Sequence, residues 1–167
     1  MTDSEAVKEI VAHKSERAFK ILYQRHGDAI YRIAVRLAAG DIPFAEDLTQ
    51  EAWCIAVGRL KYFRWQSQIR TWLVGILINV FKNQSRKKGR SQAEQLPIPP
   101  TEVWQSSLMD LKNAINRLPE GCREILILHD IEGYKHHEIA AMLEISEGTS
   151  KSQLSNARKS VRLFLSN

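Results

Sequence analysis

Charged side chains that suit a macromolecular partner fall in two adjacent blocks of the sequence. From Lys61 to Arg90 there are eight Lys or Arg residues and no acidic residue, whereas Asp41 to Glu51 holds four acidic residues and no basic one. Basic groups can neutralise nucleic-acid phosphates, and acidic groups can pair with the Lys or Arg of a protein. A solvated face explains either block alone, but an acidic stretch directly before a basic one indicates two different partners.

A further set of polar groups lies on the last helix that the sequence predicts. The pattern after Gly133 is a helix-turn-helix, with a short helix from His136 to Leu143 and a longer one from about Glu147. Apolar residues of the longer helix recur at three- and four-residue steps and should face the core: Leu154, Ala157, Val161 and Phe164 or Leu165. The residues left outward can reach phosphates or base edges: Lys151, Ser152, Ser155, Asn156 and Lys159.

The start of this longer helix carries one polar residue on its apolar side. Ser150 lies four residues before Leu154, so its hydroxyl falls on the predicted core face. Burying that hydroxyl costs about 1–3 kcal/mol unless it bonds back to a backbone carbonyl. Ser146, just before the helix, can cap its first turn.

Catalytic or metal-binding groups come closest together between residues 129 and 137. The set comprises His129, Asp130, Glu132, His136 and His137. Adjacent His136 and His137 point to different faces of a helix, so a solvated helix and turn explain the set better than a site does. The sequence also lacks a Gly-rich phosphate loop, a His-Glu-x-x-His motif and a nucleophile elbow. We therefore predict no enzyme, no metal and no cofactor.

The elements that must position these groups are all helical. Both halves of the chain show apolar residues at helical steps, and neither shows the alternation of a strand. Residues 89–107 contain three prolines and few groups to bury, which predicts a flexible linker. The predicted fold is all-α, with small helical domains at 1–88 and 108–167. Helix stops are expected at Gly40 to Pro43, Tyr62 to Ser67, Leu118-Pro119 and Gly133.

Composition is typical of a globular chain. The 167 residues are 44% hydrophobic and carry a formal net charge of +5, which gives modest support for a polyanionic partner. The longest apolar run, Trp72 to Ile78, is far shorter than the roughly 20 residues of a membrane span, and the first residues lack signal-peptide features. We expect a cytoplasmic protein without membrane insertion of its own. Cys54 and Cys122 lack metal-site spacing and are expected to be small buried groups.

Several short motifs mark the C-terminal segment: Arg123 to Leu128, Glu132 to Tyr134, Glu138 to Ala140, Gly148 to Ser152 and Ala157 to Lys159. Over about residues 108 to 165 they resemble the sigma-4 domain of extracytoplasmic-function (ECF) sigma factors, a branch of the sigma-70 family. The resemblance implies that the longer helix reads the minus-thirty-five promoter element. It places Lys151, Ser152, Ser155 and Asn156 near the bases, and Arg158 and Lys159 nearer the phosphates.

The acidic block carries a second resemblance. The run from Phe44 to Trp53 is similar to region 2.2 of the same family, the helix that docks on the largest subunit of RNA polymerase. Helical spacing turns Leu48, Ala52, Ile55 and Ala56 inward. The residues that the resemblance assigns to polymerase binding are Glu46, Asp47, Leu48, Gln50 and Glu51. The simpler alternative is that the acids only complement the helix N-terminus, which is worth about 0.3–1 kcal/mol.

The basic block that follows resembles regions 2.3 and 2.4, where the family melts the minus-ten element. The resemblance covers Phe63 to Leu73, with Ile76 and Asn79 beyond. It implies that Arg64, Gln66, Ser67 and Gln68 cradle a flipped base, and that Asn79, Lys82, Asn83 and Arg86 hold the strand. Because extruding a base costs a few kcal/mol, a pocket, a stacking surface and cations are all needed in compensation.

Four positions depart from the family pattern. Trp65 and Glu144 stand where glycine is usual, Ser150 where a buried valine is usual, and Gln153 where an arginine is common. Trp72 is expected to be core. Trp65 instead distorts its loop or adds a stacking wedge beside the opened base, and we favour the wedge.

The resemblance as a whole implies an alternative sigma factor. Its partners are then core RNA polymerase, promoter DNA and an anti-sigma factor. A conventional helix-turn-helix regulator is the main alternative, since its output domain resembles residues 108 to 165 and it would bind a palindromic site as a dimer. The acidic and basic blocks argue against such a regulator, which has no use for a polymerase-docking helix or a strand-opening loop.

Overall fold

The computed structural model describes residues 1–89 and 107–166, the latter with only the backbone of residue 107. All regular structure in these ranges is helical, which confirms the all-α prediction. The chain divides into two compact units, Met1–Gln84 and Ser85–Asn167. The predicted linker, 89–107, lies outside the described residues except at its ends. Among the described helices, none combines the length and the apolar character needed to cross a membrane.

The N-terminal unit is built from helices, of which α2, α3 and α4 are separated at predicted stops, whereas the break between α1 and α2 at residues 14–15 was not predicted. The elements are α1 (Asp3–His13), α2 (Glu16–Leu37), α3 (Ile42–Arg59), a 3-10 turn (Leu60–Tyr62) and α4 (Ile69–Lys87), whose last turn extends past the unit. Asp41 caps α3 by accepting a hydrogen bond from the Phe44 N–H at 3.1 Å, and Pro43 occupies the first turn. The apolar faces meet in a core whose fully buried members include Leu22, Ile30, Ile33, Phe44, Leu48, Leu77 and Phe81.

A polar tether holds α1 against α2. The Asp3 carboxylate accepts hydrogen bonds from the Arg25 guanidinium and from Nε2 of His26, the latter at 3.0 Å. Burial opposes ionisation of Asp3, but these two hydrogen bonds outweigh it and hold the pKa of the carboxyl below its ordinary value. Since the tether needs the ionised carboxylate, its contribution is complete above pH 4 or so and declines as the carboxyl protonates.

The C-terminal unit confirms the predicted helix-turn-helix. It contains α5 (Ser107–Asn116), α6 (Glu120–Leu126) continuing into a π-helical turn (Ile127–Ile131), α7 (His136–Leu143) and α8 (Glu147–Ser166). Ser146 caps α8 as predicted, because its Oγ accepts a hydrogen bond from the Thr149 N–H at 3.0 Å. Buried Leu154, Ala157 and Val161 form the inner stripe of α8.

Two predictions of burial are wrong: the apolar stripe does not continue to the end of α8, and Cys54 is not buried. Phe164 and Leu165 are exposed, and the Arg117 guanidinium lies over the Phe164 ring. Cys54 is exposed because it shares its face of α3 with exposed Gln50 and Gly58, one turn away on either side. Cys122 is half-buried, and this burial raises the pKa of its thiol.

Both positions where a side chain replaces the family's usual glycine have left-handed backbone. Trp65 has φ +58° and Glu144, the residue after α7, has φ +55°. A side chain in this conformation brings Cβ close to the following carbonyl oxygen, at a cost of roughly 1–2 kcal/mol. The glycine expected at these turns therefore has a steric reason, and this chain carries the strain at both.

We predict that Glu144→Gly raises the free energy of unfolding by about 0.5–1 kcal/mol. Relief of the left-handed strain stabilises the folded state, and the greater conformational entropy of glycine in the unfolded chain offsets part of that gain. The matched control is Ala141→Gly on the exposed face of α7, which should lower the same quantity by about 1 kcal/mol. Urea unfolding followed by circular dichroism measures both. Destabilisation by Glu144→Gly would show that the Glu144 side chain contributes contacts that exceed the strain.

Candidate functional site

One acidic residue of α3, Glu46, borders an aromatic groove in the N-terminal unit. The groove encloses about 700 Å³ between α2 and α3, and its aromatic lining is Phe19, Tyr23, Tyr31 and Trp53. Ring centroids of Trp53 lie 5.1 Å from Tyr23 and 5.9 Å from Phe19. Besides Trp53, α3 contributes Glu46, Thr49, Gln50, Cys54 and Val57 to the lining. An apolar floor beside acidic and amide groups suits an amphipathic segment with basic residues.

The five residues assigned to polymerase binding do not share one environment. Glu46 and Gln50, one turn apart, are exposed and line the groove. Asp47 and Glu51 are exposed on the neighbouring face of α3, where the Glu51 carboxylate accepts a hydrogen bond from the side-chain amide of Gln84. Leu48 is completely buried and supports the helix from inside, so it is not available for direct contact with a partner.

The Trp53 indole adds a feature that sequence reasoning missed. Only 5% of Trp53 is exposed, and its Nε1 has no acceptor within the described part of the chain. Buried donors are normally paired, so this one identifies a polar position at the groove wall. The position of Trp53 on α3, between exposed Gln50 and Cys54, gave no sign that aromatic residues of α2 would contact its ring.

The loop before α4 presents the groups that were predicted to accept a flipped base. Its exposed side chains are Arg64, Trp65, Gln66, Ser67 and Gln68. The Trp65 ring is 44% exposed and lies 4.7 Å from Phe63, which in turn lies 4.9 Å from Trp72. Trp72 is half-buried, so only the outer member of this aromatic row is widely open to solvent.

The outer face of α4 continues from this loop. Asn79, Asn83 and Arg86 are exposed at four- and three-residue steps, and Lys82 is half-buried. The opposite face is anchored by buried Leu73, Leu77 and Phe81. Amide and cationic groups at these steps on one helix can follow a phosphate backbone.

The outward residues of α8 lie where periodicity placed them. Lys151, Ser152, Ser155, Asn156 and Lys159 are all exposed. Ser152 Oγ donates to the Thr149 carbonyl at 3.1 Å. Arg158 differs from its neighbour Lys159, because it donates to both carboxylate oxygens of Asp130 at 2.6 and 2.9 Å.

Ser150 is buried as predicted, but its partner is a side chain rather than a carbonyl. Its Oγ lies 2.8 Å from Nδ1 of His136 on α7. The His136 ring stacks on His129, and His129 Nδ1 lies 2.8 Å from Asp130. All five residues of the set predicted to be a solvated helix and turn are exposed or half-buried, but three of them also make these side-chain contacts. Spacing alone gives no sign of this cluster, since residues in direct contact are up to 28 positions apart.

This cluster changes two pKa values. Hydrogen bonding from Arg158, set against partial burial, holds the pKa of the Asp130 carboxyl below its ordinary value. The pKa of His136 is also lowered, chiefly by burial and further by nearby positive charge. Across the described residues, no group of three or more His, Cys, Asp or Glu side chains has the arrangement of a metal site.

Comparisons with known proteins identify the class of protein. Residues 22–91 match the family model for sigma-70 region 2, and residues 108–161 match that for sigma-70 region 4. The N-terminal unit with its groove and loop, and the helix-turn-helix of the C-terminal unit, are thus the two regions of a sigma-70-type transcription initiation factor.

Curated relatives narrow the class. The ECF RNA polymerase sigma factor SigE of Mycolicibacterium smegmatis is 34% identical over 86% of this chain, which spans 60% of that relative's length. The sigma factor EcfG of Rhodopseudomonas palustris is 30% identical over 76% of this chain and 74% of its own. This chain belongs to the ECF family of RNA polymerase sigma factors.

Solved structures agree with this assignment. The sigma factor RpoE of Bartonella quintana, in complex with the anti-sigma factor NepR, matches with a TM-score of 0.73 and 31% identity over 89% of this chain and 96% of its own. CnrH, in complex with the cytosolic domain of CnrY, matches with a TM-score of 0.68 over 98% of this chain and 94% of its own. At 22% identity, it supports the fold alone.

Proposed function

We propose that this protein is an alternative sigma factor that binds core RNA polymerase and directs promoter-specific initiation in the cytoplasm, without catalysing a reaction itself. The observation that carries the proposal is the presence of two separate surfaces on one chain: an aromatic groove edged by Glu46 on α3, and an exposed polar and basic face on α8. A stand-alone regulator needs only the second. Residues 1–88 act as the sigma-2-like domain and residues 108–167 as the sigma-4-like domain, joined by residues 89–107.

The groove on α3 is the docking surface that we propose for core polymerase. Exposed Glu46 and Gln50 border aromatic Tyr23 and Trp53 there, so a partner helix can bury apolar side chains while its basic residues meet the acidic edge. Asp47 and Glu51 extend the acidic surface around the helix. Leu48 contributes by fixing α3 against the core.

The loop at residues 64–68 and the outer face of α4 form the proposed strand-opening surface. Arg64, Gln66, Ser67 and Gln68 supply hydrogen-bonding groups for a flipped base, and Trp65 supplies a stacking face. Asn79, Lys82, Asn83 and Arg86 then contact the separated strand along one helix. The left-handed backbone of Trp65 supports a function there, because residues in sparsely populated conformations cluster at functional sites.

The first turns of α8 read the minus-thirty-five element in this proposal. Lys151, Ser152, Ser155 and Asn156 lie near the N-terminus of the helix, which is the part that enters the major groove in helix-turn-helix proteins. Lys159 contacts a phosphate. Arg158 is held by Asp130, so we assign it a structural contact first and a phosphate contact second.

We also propose control by an anti-sigma factor. The Bartonella quintana relative, similar over most of both chains, was solved as a complex with one. An anti-sigma factor that covered the α3 groove or the α8 face would exclude polymerase or promoter by direct competition.

We predict that the purified chain, added to core RNA polymerase, produces run-off transcripts from specific genomic sites. The upstream sequences of these transcripts should share two short blocks, near minus thirty-five and minus ten, because two separate surfaces read them. Core enzyme without the chain is the control. Palindromic binding sites with no transcript would favour the stand-alone regulator instead.

Reversing one acid of the groove should weaken docking. We predict that Glu46→Lys lowers affinity for core polymerase by about tenfold, because an attraction of up to about 1 kcal/mol becomes a repulsion of similar size. The matched control is Glu9→Lys, which makes the same charge change at an exposed position of α1. Fluorescence anisotropy of labelled protein titrated with core enzyme gives both values. Equal losses of affinity in the two variants would show that the groove is not part of the docking surface.

Removing the Trp65 ring should impair strand opening rather than assembly. We predict that Trp65→Asn, which tolerates left-handed backbone but cannot stack a base, lowers the opening equilibrium roughly tenfold, since one base–aromatic stack is worth about 1–3 kcal/mol. Trp65→Phe keeps an aromatic face and should retain most of the opening. A fluorescent adenine analogue in the minus-ten element reports the reaction in holoenzyme. Opening by Trp65→Asn at the wild-type level would exclude the wedge.

A further inference from the structure

Two polar contacts fasten α8 to the elements that precede it in the C-terminal unit. Near its start, the completely buried Ser150 places Oγ 2.8 Å from Nδ1 of His136 on α7. Two turns later, Arg158 donates to both oxygens of Asp130 on the π-helical turn, at 2.6 and 2.9 Å. Both contacts are directional, so they fix rotation and translation of α8 more narrowly than apolar packing does.

These contacts bracket the surface that we assign to base recognition. Ser150 and Arg158 are eight positions apart, which is about 12 Å along a helix that rises roughly 1.5 Å per residue. The outward residues between them are Lys151, Ser152, Ser155 and Asn156. A small rotation of α8 at either contact would displace all four relative to the rest of the unit.

Two stacked imidazoles join one contact to the other. The rings of His129 and His136 have centroids 4.5 Å apart and an interplanar angle of 23°. His129 Nδ1 lies 2.8 Å from the same Asp130 oxygen that pairs with Arg158. A continuous line of contacts therefore leaves α8 at Ser150 and returns to it at Arg158. We call these five residues the imidazole bridge.

We infer that the imidazole bridge positions α8 for the promoter duplex, with His136 and Asp130 as positioning residues, and that protonation of His136 loosens the helix. The duplex part of this inference rests on the proposed function; the pH-dependent order of α8 does not. The physical basis is that a charged His136 ring loses hydration in its partly buried position and lies near the cations of Lys151 and Arg158.

Charged groups around His136 come from every element packed against it. They are His129 and Asp130 on the π-helical turn, Glu147, Lys151 and Arg158 on α8, and Lys135, His137 and Glu138 at or on α7. Burial is the first reason that the pKa of His136 lies below its ordinary value; the cationic neighbours lower it further, and Glu147 opposes them. A loosened helix thus binds the proton more readily than the packed one. The bridge contributes fully above about pH 6.5 and progressively less as the pH falls.

Hydrogen exchange on the full-length chain tests this without DNA or polymerase. For the wild type we expect the protection factors of amides 151–156 to fall roughly three- to tenfold between pH 7.5 and pH 5.5. His136→Asn places an amide near the former Nδ1 and can bond Ser150 without titrating, so its protection should stay high at both pH values. His136→Ala should be poorly protected at both. The matched control, exposed His137→Asn, should follow the wild-type profile.

Wild-type protection that is equal at both pH values, or an equal fall in His136→Asn, would overturn the inference. Binding of the minus-thirty-five duplex, measured for the same four proteins, then distinguishes a failure of this inference from a failure of the proposed function. Parallel pH profiles of protection and duplex affinity support both. A pH-dependent helix in a chain that directs no initiation would sink the proposed function and the duplex role together, while leaving the proton-sensitive bridge in place.

Discussion

Burial of one apolar face on each interface helix is the constraint on which the proposed sites depend. In α3, Leu48, Ala52 and Ala56 are buried, and this leaves Glu46 and Gln50 at the groove. In α8, Leu154, Ala157 and Val161 are buried in the same way, leaving the proposed reading residues in solvent. Because a helix repeats every 3.6 residues, the core contacts and the partner contacts cannot be changed independently.

Polar groups inside the apolar faces add specificity that packing alone would not give. Ser150 is the clearest case, since its hydroxyl is completely buried, and leaving it without the His136 partner would lower the stability of the fold by about 1–3 kcal/mol. The contact therefore ties the rotation of α8 to the position of α7. Trp53 is the opposite case, because its buried Nε1 has no acceptor in the described ranges and lies at the groove where a partner is proposed.

Left-handed non-glycine residues occur in both turns beside the proposed DNA contacts, and also at Lys14 and Ala39. Trp65 precedes α4 and Glu144 precedes α8, and both adopt left-handed backbone that glycine would adopt at lower cost. Such residues persist where the surrounding structure over-determines them or where the side chain has a use. For Trp65 the exposed ring suggests a use in stacking. Nothing in the structure gives the Glu144 side chain a corresponding one.

The sequence by itself determined the helical class, the bounds of α7, the start of α8, and the exposed positions 151–159 assigned to α8, because these follow from local capping and a 3.6-residue period. It also indicated the left-handed turns, through residues that stand where glycine is usual. Only the tertiary structure decided that α2 aromatics meet Trp53, that Arg158 pairs with Asp130 and that His136 bonds Ser150. It also decided that Phe164 and Cys54 are exposed. These outcomes depend on contacts between residues distant in the chain, and periodicity along one helix carries no information about which neighbour it will meet.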